Sequence, residues 1–297
     1  MNEKTIYALG FFDGVHRGHA LLLNACREMA DELGCKAGVV TFSNHPESLT
    51  RGTSPGLINT TYDRERMLRE KFSMDTVVTL PFDRKLMTCP WQDFFRRLLE
   101  EHNAAGLVCG EDFRFGFRGE GDSGKLLTAC REAGIPCVVI PELKMDNITV
   151  SSTYIRNLIE MGMVVRAAQF LGHPHVLTGK VVHGHQLGRR LGMPTANLML
   201  PKELVVPKLG VYACRCIIDG RSYSAVTNIG TRPTVAGIGI TVESWVLDYD
   251  GDLYDREIRL EFHRFLRPEI RFENLSALQQ AVMRDAELTR EFLKNNL

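Results

Sequence analysis

Short apolar runs alternate with helical patterns over about the first 170 residues of the chain. The first run, residues 6–9, ends at Gly10 and is followed by apolar residues at the spacing of one helix face. Further apolar runs fall at residues 37–42, 76–80, 106–109 and 136–140, with helical patterns between them. Repeated strand–helix–strand units predict a parallel sheet covered by helices on both faces, which is a Rossmann-like α/β domain.

The pattern changes near residue 176, where strand-like runs follow one another without helices between them. These runs lie at residues 177–183, 210–218, 222–228, 241–249 and 257–265, and a helical pattern follows at 275–293. Asp219-Gly220, between two of the runs, is typical of a two-residue hairpin turn. We therefore predict a small antiparallel β-barrel with a C-terminal helix. Gly172 and Pro174 place the boundary between domains 1–172 and 173–297.

Composition narrows the class of protein. A length of 297 residues suits two hydrophobic cores. The formal net charge is zero, which argues against a nucleic-acid binder, and no apolar stretch has the length of a membrane span. The eight cysteines are scattered without a Cys-x-x-Cys pair, and the first residues lack a signal-peptide pattern. We expect a cytoplasmic protein with reduced thiols that acts on small molecules, and the sequence carries no signal for its oligomeric state.

The densest motif, Gly10-Phe-Phe-Asp-Gly-Val-His-Arg-Gly-His19, lies where the first strand ends and the first helix begins. A helix start at this edge of a parallel sheet offers N–H groups to a phosphate. His16 and His19 share a helix face and can donate hydrogen bonds to a phosphoryl group during in-line attack. The alternatives are a glycine turn with surface histidines, or a metal site, although His-x-x-His lacks the glutamate of a zinc helix.

Two further segments accompany this motif. Ser151-Ser152-Thr153, with Arg156, opens the last predicted helix of the domain. Such hydroxyls commonly act only as helix caps, but together with an arginine they also suit the outgoing pyrophosphate. Residues 110–116 follow the fourth strand, and their aromatic residues suit a flat ring; the alternative is a loop that packs its own phenylalanines.

The second domain has its own dense motif in residues 179–197. Its glycines and basic residues predict a loop whose N–H groups bind phosphates, although it is not a Walker P-loop. The candidate phosphate-binding residues are Gly179, Gly184, Gly188, Arg189 and Gly192. Thr195 and Asn197 offer uncharged oxygens for a Mg²⁺ site completed by phosphates and water, and the alternative is a simple turn. Glu243 is a candidate base for an alcohol, or a solvent-facing strand residue.

Together these motifs resemble the family of bifunctional bacterial riboflavin kinases/FAD synthetases along almost the whole chain, and His-x-Gly-His resembles the nucleotidyltransferase superfamily. The landmarks, in order, are GFFDGVHRGH, HP at 45–46, GEDFRFG, VSSTYIR, GKVVHGHQLGRRLGMPTAN, GVYA, NIGTRPT, VESWVLDYDGDLY and FLRPEIRF. The resemblance implies an amino-terminal domain that makes FAD from FMN and ATP. It also implies a carboxy-terminal domain that makes FMN from riboflavin and ATP, and a need for Mg²⁺ in both reactions.

The resemblance also implies roles for individual residues. The groups that match the ATP site of the adenylyltransferase are Gly10, Phe11, Asp13, His16, Gly18, His19, Ser151, Ser152, Thr153 and Arg156. Positions on the flavin side are His45, Pro46, Asp112, Phe115 and Arg267. In the kinase, Thr195 and Asn197 match the magnesium and nucleotide site, and Glu243 matches the proposed base. His16, His19 and Glu243 are the expected catalytic residues.

The chain departs from the family pattern at Asn44, Arg190, Met193 and Asp255. Asn44 replaces a proline that helps to sandwich the flavin in the family, and Asp255 replaces a glycine. None of these departures removes a proposed catalytic group. Two alternatives to the bifunctional enzyme are a protein that keeps only one of the activities and a flavin-binding module without catalysis.

Overall fold

The computed structural model describes residues 3–50, 55–184, 192–234 and 237–296. The chain divides into two compact units, Met1–Ser152 and Thr153–Leu297. The domain boundary that we placed at Gly172 from the sequence stays a prediction.

The first unit is built on parallel strands connected by helices. Its strands are β1 (Thr5–Leu9), β2 (Lys36–Phe42), β3 (Thr76–Leu80), β4 (Ala104–Gly110), β5 (Arg114–Phe115), β6 (Gly121–Asp122), β7 (Cys137–Ile140), β8 (Lys144–Met145) and β9 (Ile148–Thr149). Its helices are α1 (Arg17–Glu32), α2 (Glu47–Thr50), α3 (Thr61–Glu70), α4 (Arg84–Met87), α5 (Trp91–Glu100) and α6 (Ser123–Glu132), with 3₁₀ turns at Asp13–Val15 and Phe117–Gly119. Most of the strands and longer helices match the sequence patterns.

The main sheet has the order β3-β2-β1-β4-β7, and all its pairs are parallel. This confirms the predicted Rossmann-like α/β domain. Alternate residues of β1 serve two cores, since Ile6 and Ala8 pack in one cluster while Tyr7 and Leu9 pack in another. The chain leaves β1 toward β2 on one side and later adds β4 on the other, so the strand order reverses beside β1. Ligands of such sheets bind at the carboxyl ends of the strands near this reversal.

The second unit is a closed antiparallel barrel with helices. Its helices are α7 (Ser152–Glu160), which begins at the last residue of the first unit, α8 (Val164–Leu171) and α9 (Leu275–Asn296). Its strands are β10 (His175–Val182), β11 (Thr195–Met199), β12 (Gly210–Ile218), β13 (Arg221–Thr234), β14 (Gly237–Val246) and β15 (Glu257–Arg267), closed in the order β10-β11-β14-β13-β12-β15. The predicted barrel and final helix are confirmed.

The hairpin between β12 and β13 turns at Asp219 and Gly220, whose φ angles of 47° and 77° are both left-handed. Two left-handed central residues define the turn type that matches the twist of a hairpin, and this explains why Asp-Gly marks the turn.

Strand β11 was not predicted. Within it Ala196 and Leu198 are buried while Thr195 and Asn197 are partly exposed, the alternation of a strand with one face on the barrel core. A short run next to Pro194 and several glycines carries too little periodic signal to distinguish a strand from a turn.

Candidate active sites

The motifs predicted for the first unit lie at one edge of its parallel sheet. Segment 10–16 follows β1, segment 43–46 follows β2, and segment 110–116 follows β4. Because the three strands are parallel neighbours, their carboxyl ends and these segments share the same edge. The order of strands therefore gathers residues that are up to about 100 positions apart in the chain.

His16 and His19 cap the start of α1 for each other. The backbone N–H of His19 donates to Nδ1 of His16 at 3.2 Å, and the backbone N–H of His16 donates to Nδ1 of His19 at 3.3 Å. The two rings stack with centroids 3.5 Å apart and planes 12° apart. Since both Nδ1 atoms accept hydrogen bonds, each neutral ring carries its proton on Nε2. Each Nδ1 is thus occupied by its cap, and each neutral ring is a donor through Nε2–H.

The surroundings of His19 keep its imidazole neutral. Burial lowers the pKa of His19 well below its ordinary value, and the nearby His16 and Arg64 lower it further. Gly18 leaves the space that the His16 ring occupies, because a Cβ at this position would lie 3.1 Å from Cε1 of His16. The glycine of the motif thus has a packing reason, and its contact with a ligand stays a prediction.

Asp13 organises the loop that carries the histidines. Its carboxylate is buried and accepts hydrogen bonds from the N–H groups of Ile58, at 2.9 Å, and Asn59, at 3.4 Å. Its backbone carbonyl accepts a hydrogen bond from the Ser152 hydroxyl at 2.8 Å. The loop also holds Phe12 at a φ of 58° and Val15 at 40°, which non-glycine residues seldom adopt. Backbone strain of this kind concentrates at functional sites.

The Ser152 contact brings one residue of the second predicted signature against the histidine loop. Ser151 is partly buried next to it. Thr153 and Arg156 lie on α7 in the second unit, and the Arg156 side chain is buried. Their approach to the triphosphate stays a prediction.

Phe11 joins the loops after β1 and β2. Its carbonyl accepts a hydrogen bond from the Thr41 hydroxyl at 2.9 Å, and its ring meets the ring of His45 edge to face at 4.9 Å. The guanidinium of Arg64 lies over the same ring, 4.6 Å from its centroid. Sequence reasoning missed Arg64, since nothing distinguishes it from the other charges of the polar helical pattern around it.

Asn44, which stands where the family usually has proline, uses its side chain to join two loops. Its Nδ2 donates to the Phe82 carbonyl at 2.9 Å, and its Oδ1 accepts from the Phe82 N–H at 2.9 Å. Proline has neither group. The substitution therefore exchanges an apolar ring for a bond between the loops after β2 and β3, and Pro46 stays in the same loop, where its carbonyl accepts from Leu49.

The segment after β4 places its two candidate flavin residues differently. Asp112 is exposed, whereas Phe115 is only 7% exposed. The Phe115 ring packs against the rings of Phe113, Trp91 and Phe94 at centroid distances of 5.4, 6.1 and 5.8 Å. This packing favours the alternative that the loop buries its own phenylalanines, and the flavin contact of Phe115 stays a prediction.

In the second unit, Thr195 and Asn197 line a cavity of about 580 Å³ together with Gly184 and residues 249–254. Gly184 lies against Asn197 so closely that a Cβ would fall 2.3 Å from Nδ2 of Asn197. Glycine at position 184 therefore leaves room for the side-chain amide of Asn197.

The other candidates of the glycine-rich loop differ in how far the structure describes them. A Cβ on Gly179 would lie 2.7 Å from the Met199 carbonyl, so this glycine lets β10 approach β11. Gly192 has a left-handed φ of 75°. Gly188, Arg189 and the departure Arg190 lie outside the described residues.

Glu243 lies in a row of polar side chains across three strands. Its register partners are Asn197 on β11 and Asn228 on β13. Residues directly opposite each other in antiparallel strands share a face and have Cβ atoms roughly 5 Å apart. The partly buried Glu243 is thus next to Asn197, the candidate metal ligand.

Glu243 also lines a second cavity of about 290 Å³ beneath α9. Its apolar lining includes Met193, Trp245, Ile270, Phe272 and Leu278. An apolar cavity with a few polar groups suits a flat aromatic ligand. Thr195 lines both cavities, so the two meet at the start of β11.

Arg267, a candidate flavin residue, lines the second cavity but its charge is engaged by the protein. Its Nε and Nη2 donate to the Asp285 carboxylate at 3.0 and 2.8 Å, and Asp285 is only 4% exposed. The pair fastens α9 to β15. Asp255, the departure from glycine, adopts a left-handed φ of 61° and pairs with Lys180 at 2.8 Å.

The described residues contain no group of three or more His, Cys, Asp or Glu side chains arranged for a metal ion. The metal interpretation of His16 and His19 thus gains no support. Thr195 and Asn197 fit Mg²⁺ in another way, because their neutral oxygens suit an ion whose remaining ligands are phosphates and water.

Two family models match the chain in the order of its two sites. The FAD synthetase model matches residues 1–154, and the riboflavin kinase model matches residues 171–293. The chain thus combines a nucleotidyltransferase and a kinase of flavin metabolism.

Curated relatives share this combination over their length. The bifunctional riboflavin kinase/FMN adenylyltransferase of Pseudomonas fluorescens is 38% identical over 97% of this chain and 93% of its own. The Escherichia coli K12 protein of the same name is 36% identical over 98% of this chain and 93% of its own. The chain belongs to the family of bifunctional riboflavin kinases/FMN adenylyltransferases. The alternatives with one activity or none are not favoured.

A solved structure also matches over nearly the full length. It is described as a macrolide-efflux protein from Streptococcus pneumoniae, is 27% identical, and has a TM-score of 0.88 over 98% of this chain and 95% of its own. In the part of this chain that the structure describes, we find no helix with the length and apolarity to span a bilayer.

Proposed function

We propose that the first unit adenylylates FMN through the two neutral histidines at the start of α1. The FMN phosphate attacks the α-phosphorus of ATP in line, the α–β bridging bond breaks, and pyrophosphate leaves. The Nε2–H groups of His16 and His19 donate to phosphoryl oxygens on which charge increases. The reciprocal Nδ1 caps support this proposal most strongly, because they hold both rings in place and put the proton of each neutral ring on Nε2.

The other motif residues complete the proposed adenylyltransferase site. Gly10, Phe11, Asp13 and Gly18 shape the loop around the triphosphate, while Ser151, Ser152, Thr153 and Arg156 bind the leaving pyrophosphate. On the flavin side we propose His45 and Pro46, which follow β2 beside Phe11, and Asp112, which is exposed after β4. Phe115 supports that loop by packing against the neighbouring aromatic rings.

We propose that the second unit phosphorylates riboflavin with Glu243 as the base. Glu243 takes the proton of the ribityl 5′-hydroxyl while the oxygen attacks the γ-phosphorus of ATP and ADP leaves. The larger cavity suits the nucleotide and the apolar cavity suits the flavin ring. Thr195 and Asn197 would hold Mg²⁺, which neutralises phosphate charge when it is bound. The register of Asn197 with Glu243 supports placing the base beside the phosphate site.

We also propose the setting in which these sites work. ATP, riboflavin and FMN are the small-molecule partners, and the cytoplasm is the place of action, in keeping with cysteines that the structure shows as free thiols. For the domain boundary, the two family models leave residues 155–170 between them, and we propose that Gly172 ends the connecting helices.

The two proposed sites are tested by removing one essential group from each. We expect His19→Ala to lower FAD formation from FMN and ATP by at least about 100-fold and to leave FMN formation from riboflavin unchanged. We expect Glu243→Gln to lower FMN formation from riboflavin and ATP by about 100-fold or more and to leave FAD formation from FMN unchanged. Separation of flavin products by chromatography measures both reactions. A mixture of the two variants should convert riboflavin to FAD, because FMN diffuses from one to the other.

Two matched variants serve as controls. His102→Ala removes a histidine at the opposite edge of the first sheet, before β4, and Glu257→Gln neutralises an exposed glutamate at the start of β15. Both should keep the two activities. If either site variant stopped both reactions, or if His19→Ala kept normal FAD formation, the proposed assignment would be wrong.

A further inference from the structure

Arg64 is a fully buried arginine at the ligand edge of the first unit. It lies in the first turn of α3, and its side chain is 0% exposed. Its Nη2 donates to the Phe42 carbonyl at the end of β2, and its guanidinium covers the ring of Phe11 at 4.6 Å. It therefore connects α3 to the segments that leave β1 and β2.

This arrangement costs stability. Among the residues that the structure describes, Nε and Nη1 of Arg64 find no hydrogen-bond partner. Asp13 and Glu65 are the negative charges that face the guanidinium, but Asp13 accepts from the backbone of residues 58 and 59, and Glu65 pairs with the Thr79 hydroxyl. A fold with a buried cation whose donors are unpaired is usually less stable than the same fold with an apolar side chain of similar volume, such as methionine, at that position. Packing alone does not explain an arginine here.

The neighbours of Arg64 suggest what the cation does. Phe11 belongs to the loop that leads into His16, and its ring also contacts the ring of His45. The Arg64 cation lies over the Phe11 ring and is held by its hydrogen bond to the end of β2, so it links this loop to α3. Sites that break a local stability rule are often sites that serve function.

We propose that Arg64 is a positioning residue of the adenylyltransferase reaction, which holds the Phe11 loop and the stacked histidines in the geometry that receives the phosphates. The proposal rests on the proposed role of His16 and His19. It adds a residue that lies outside the family motifs in the sequence and makes no hydrogen bond to the histidine rings among the described contacts.

The charge of Arg64 also acts on His19. The titratable and charged groups that face His19 are His16 from the same helix end and Arg64 from α3, and both lower the pKa of His19 after the larger effect of burial. Protonation would place a hydrogen on Nδ1 of His19 and break the cap to the His16 N–H. Removing the cation raises the pKa of His19, so the protonated, uncapped form then appears at higher pH.

The test compares Arg64→Met, Arg64→Lys and Arg69→Met across pH. Arg69 lies on the same helix, is exposed and donates to the Asp75 carbonyl, so Arg69→Met controls for loss of an arginine from α3. FAD formation from FMN and ATP is measured, with FMN formation by the same variant as the internal control. We expect Arg64→Met to lower kcat/KM for FAD formation about tenfold or more. We also expect it to shift the acid limb of the pH profile of kcat/KM to higher pH. Arg64→Lys, which keeps the charge, should keep the acid limb and recover part of the rate, and Arg69→Met should behave as wild type.

Three results would overturn the proposal. One is an Arg64→Met variant with wild-type FAD formation and an unmoved acid limb. Another is an Arg64→Met variant that is slower with an unmoved limb, which is the behaviour of a purely structural residue. If Arg64→Met fails to fold, Arg64→Lys is used instead. The third result that would overturn the proposal is a shift of the acid limb of the pH profile in Arg64→Lys. His19→Ala separates this proposal from the one on which it rests: normal FAD formation by His19→Ala refutes the histidine mechanism, whereas its loss together with an unaffected Arg64→Met refutes only the role of Arg64.

Discussion

At the scale of single residues, the proposed adenylyltransferase site depends on small clearances around His16. Gly18 occupies the second position of α1, after the cap His16 and Arg17. A Cβ at Gly18 would approach the His16 ring to 3.1 Å, which is tighter than ordinary contact. The ring would have to move by tenths of an ångström or rotate away from its cap. Because the proposed chemistry depends on both Nε2–H groups, such a shift affects catalysis more than folding.

We therefore expect Gly18→Ala to lower FAD formation roughly tenfold, since small misplacements of catalytic groups are costly, while FMN formation stays normal. Gly124→Ala is a matched control. Gly124 occupies the second position of α6 after its cap Asp122, and a Cβ there lies 3.4 Å from Oδ1 of Asp122, an ordinary contact. Chromatographic assay of both flavin products measures the effect. Equal activity of the two alanine variants would contradict the argument from ring clearance.

Residue identity alone did not reveal how the histidines are held. Their spacing indicated a shared helix face and a phosphate, and the residues were found at the predicted helix start. The reciprocal caps depend on ring rotamers and on the empty space at Gly18, which are properties of packed side chains. Arg64 was missed for a similar reason, because the same sequence pattern suits an exposed helix surface.

At the scale of elements, the final helix is fastened to the barrel by a buried charge pair. Arg267 of β15 and Asp285 of α9 have side chains only 21% and 5% exposed, and they line the apolar cavity. Removing one partner of a buried pair leaves the other charge without compensation. The exposed pair of Arg290 and Asp248 joins the same helix to the end of β14 at 2.9 Å, with exposures of 43% and 73%.

We expect Asp285→Asn to lower the free energy of unfolding of the barrel unit by about 2–3 kcal/mol and to weaken riboflavin phosphorylation. Asp248→Asn should change the free energy of unfolding by less than about 0.5 kcal/mol, because exposed ion pairs contribute little to stability. Asparagine also tolerates the left-handed φ of 60° at position 248. Denaturant unfolding followed by Trp245 fluorescence, with Trp91 replaced by phenylalanine, gives both values. Similar losses in the two variants would argue against a special role for the buried pair.

Elements with long periodic patterns were predictable, and short ones were not. The strands of the parallel sheet, the hairpin at Asp219-Gly220 and the final helix follow from apolar spacing and turn residues. β11 was missed although it carries Thr195 and Asn197, because its strand conformation comes from pairing with β10 and β14. Pairing of this kind is a tertiary property that local propensity cannot predict.

At the scale of the whole molecule, two units carry two reactions, and each unit holds one of the two tryptophans, Trp91 and Trp245. Their stabilities can therefore be followed separately. The barrel unit contains a buried histidine, His175, that is 0% exposed at the start of β10. Burial, with a smaller contribution from His173, lowers the pKa of His175 to about 3.

This lowered pKa makes the barrel unit sensitive to acid. Between pH 6.5 and pH 3 the unfolded chain binds a proton at this position and the folded chain does not, so stability from this group is complete above pH 6.5 and falls as pH decreases. We expect the loss from this group to be about 2 kcal/mol between pH 7 and pH 5. His175→Leu should remove that part of the pH dependence. Denaturant titrations at the two pH values, read from Trp245, measure the difference, and parallel pH profiles of the variant and the parent would refute it.

Local sequence was enough to predict the fold classes of both halves and the family, and to propose the residues of both sites, because periodicity, turn residues and motif spacing are local quantities. The placement of Asp13 against Ser152, of Glu243 beside Asn197 and of Arg64 over Phe11 required the folded chain. These contacts join residues from about 45 to 140 positions apart, and their geometry follows from strand order, barrel closure and side-chain packing. Such long-range terms leave no periodic trace in the sequence, since each residue would look the same in an exposed helix, strand or loop.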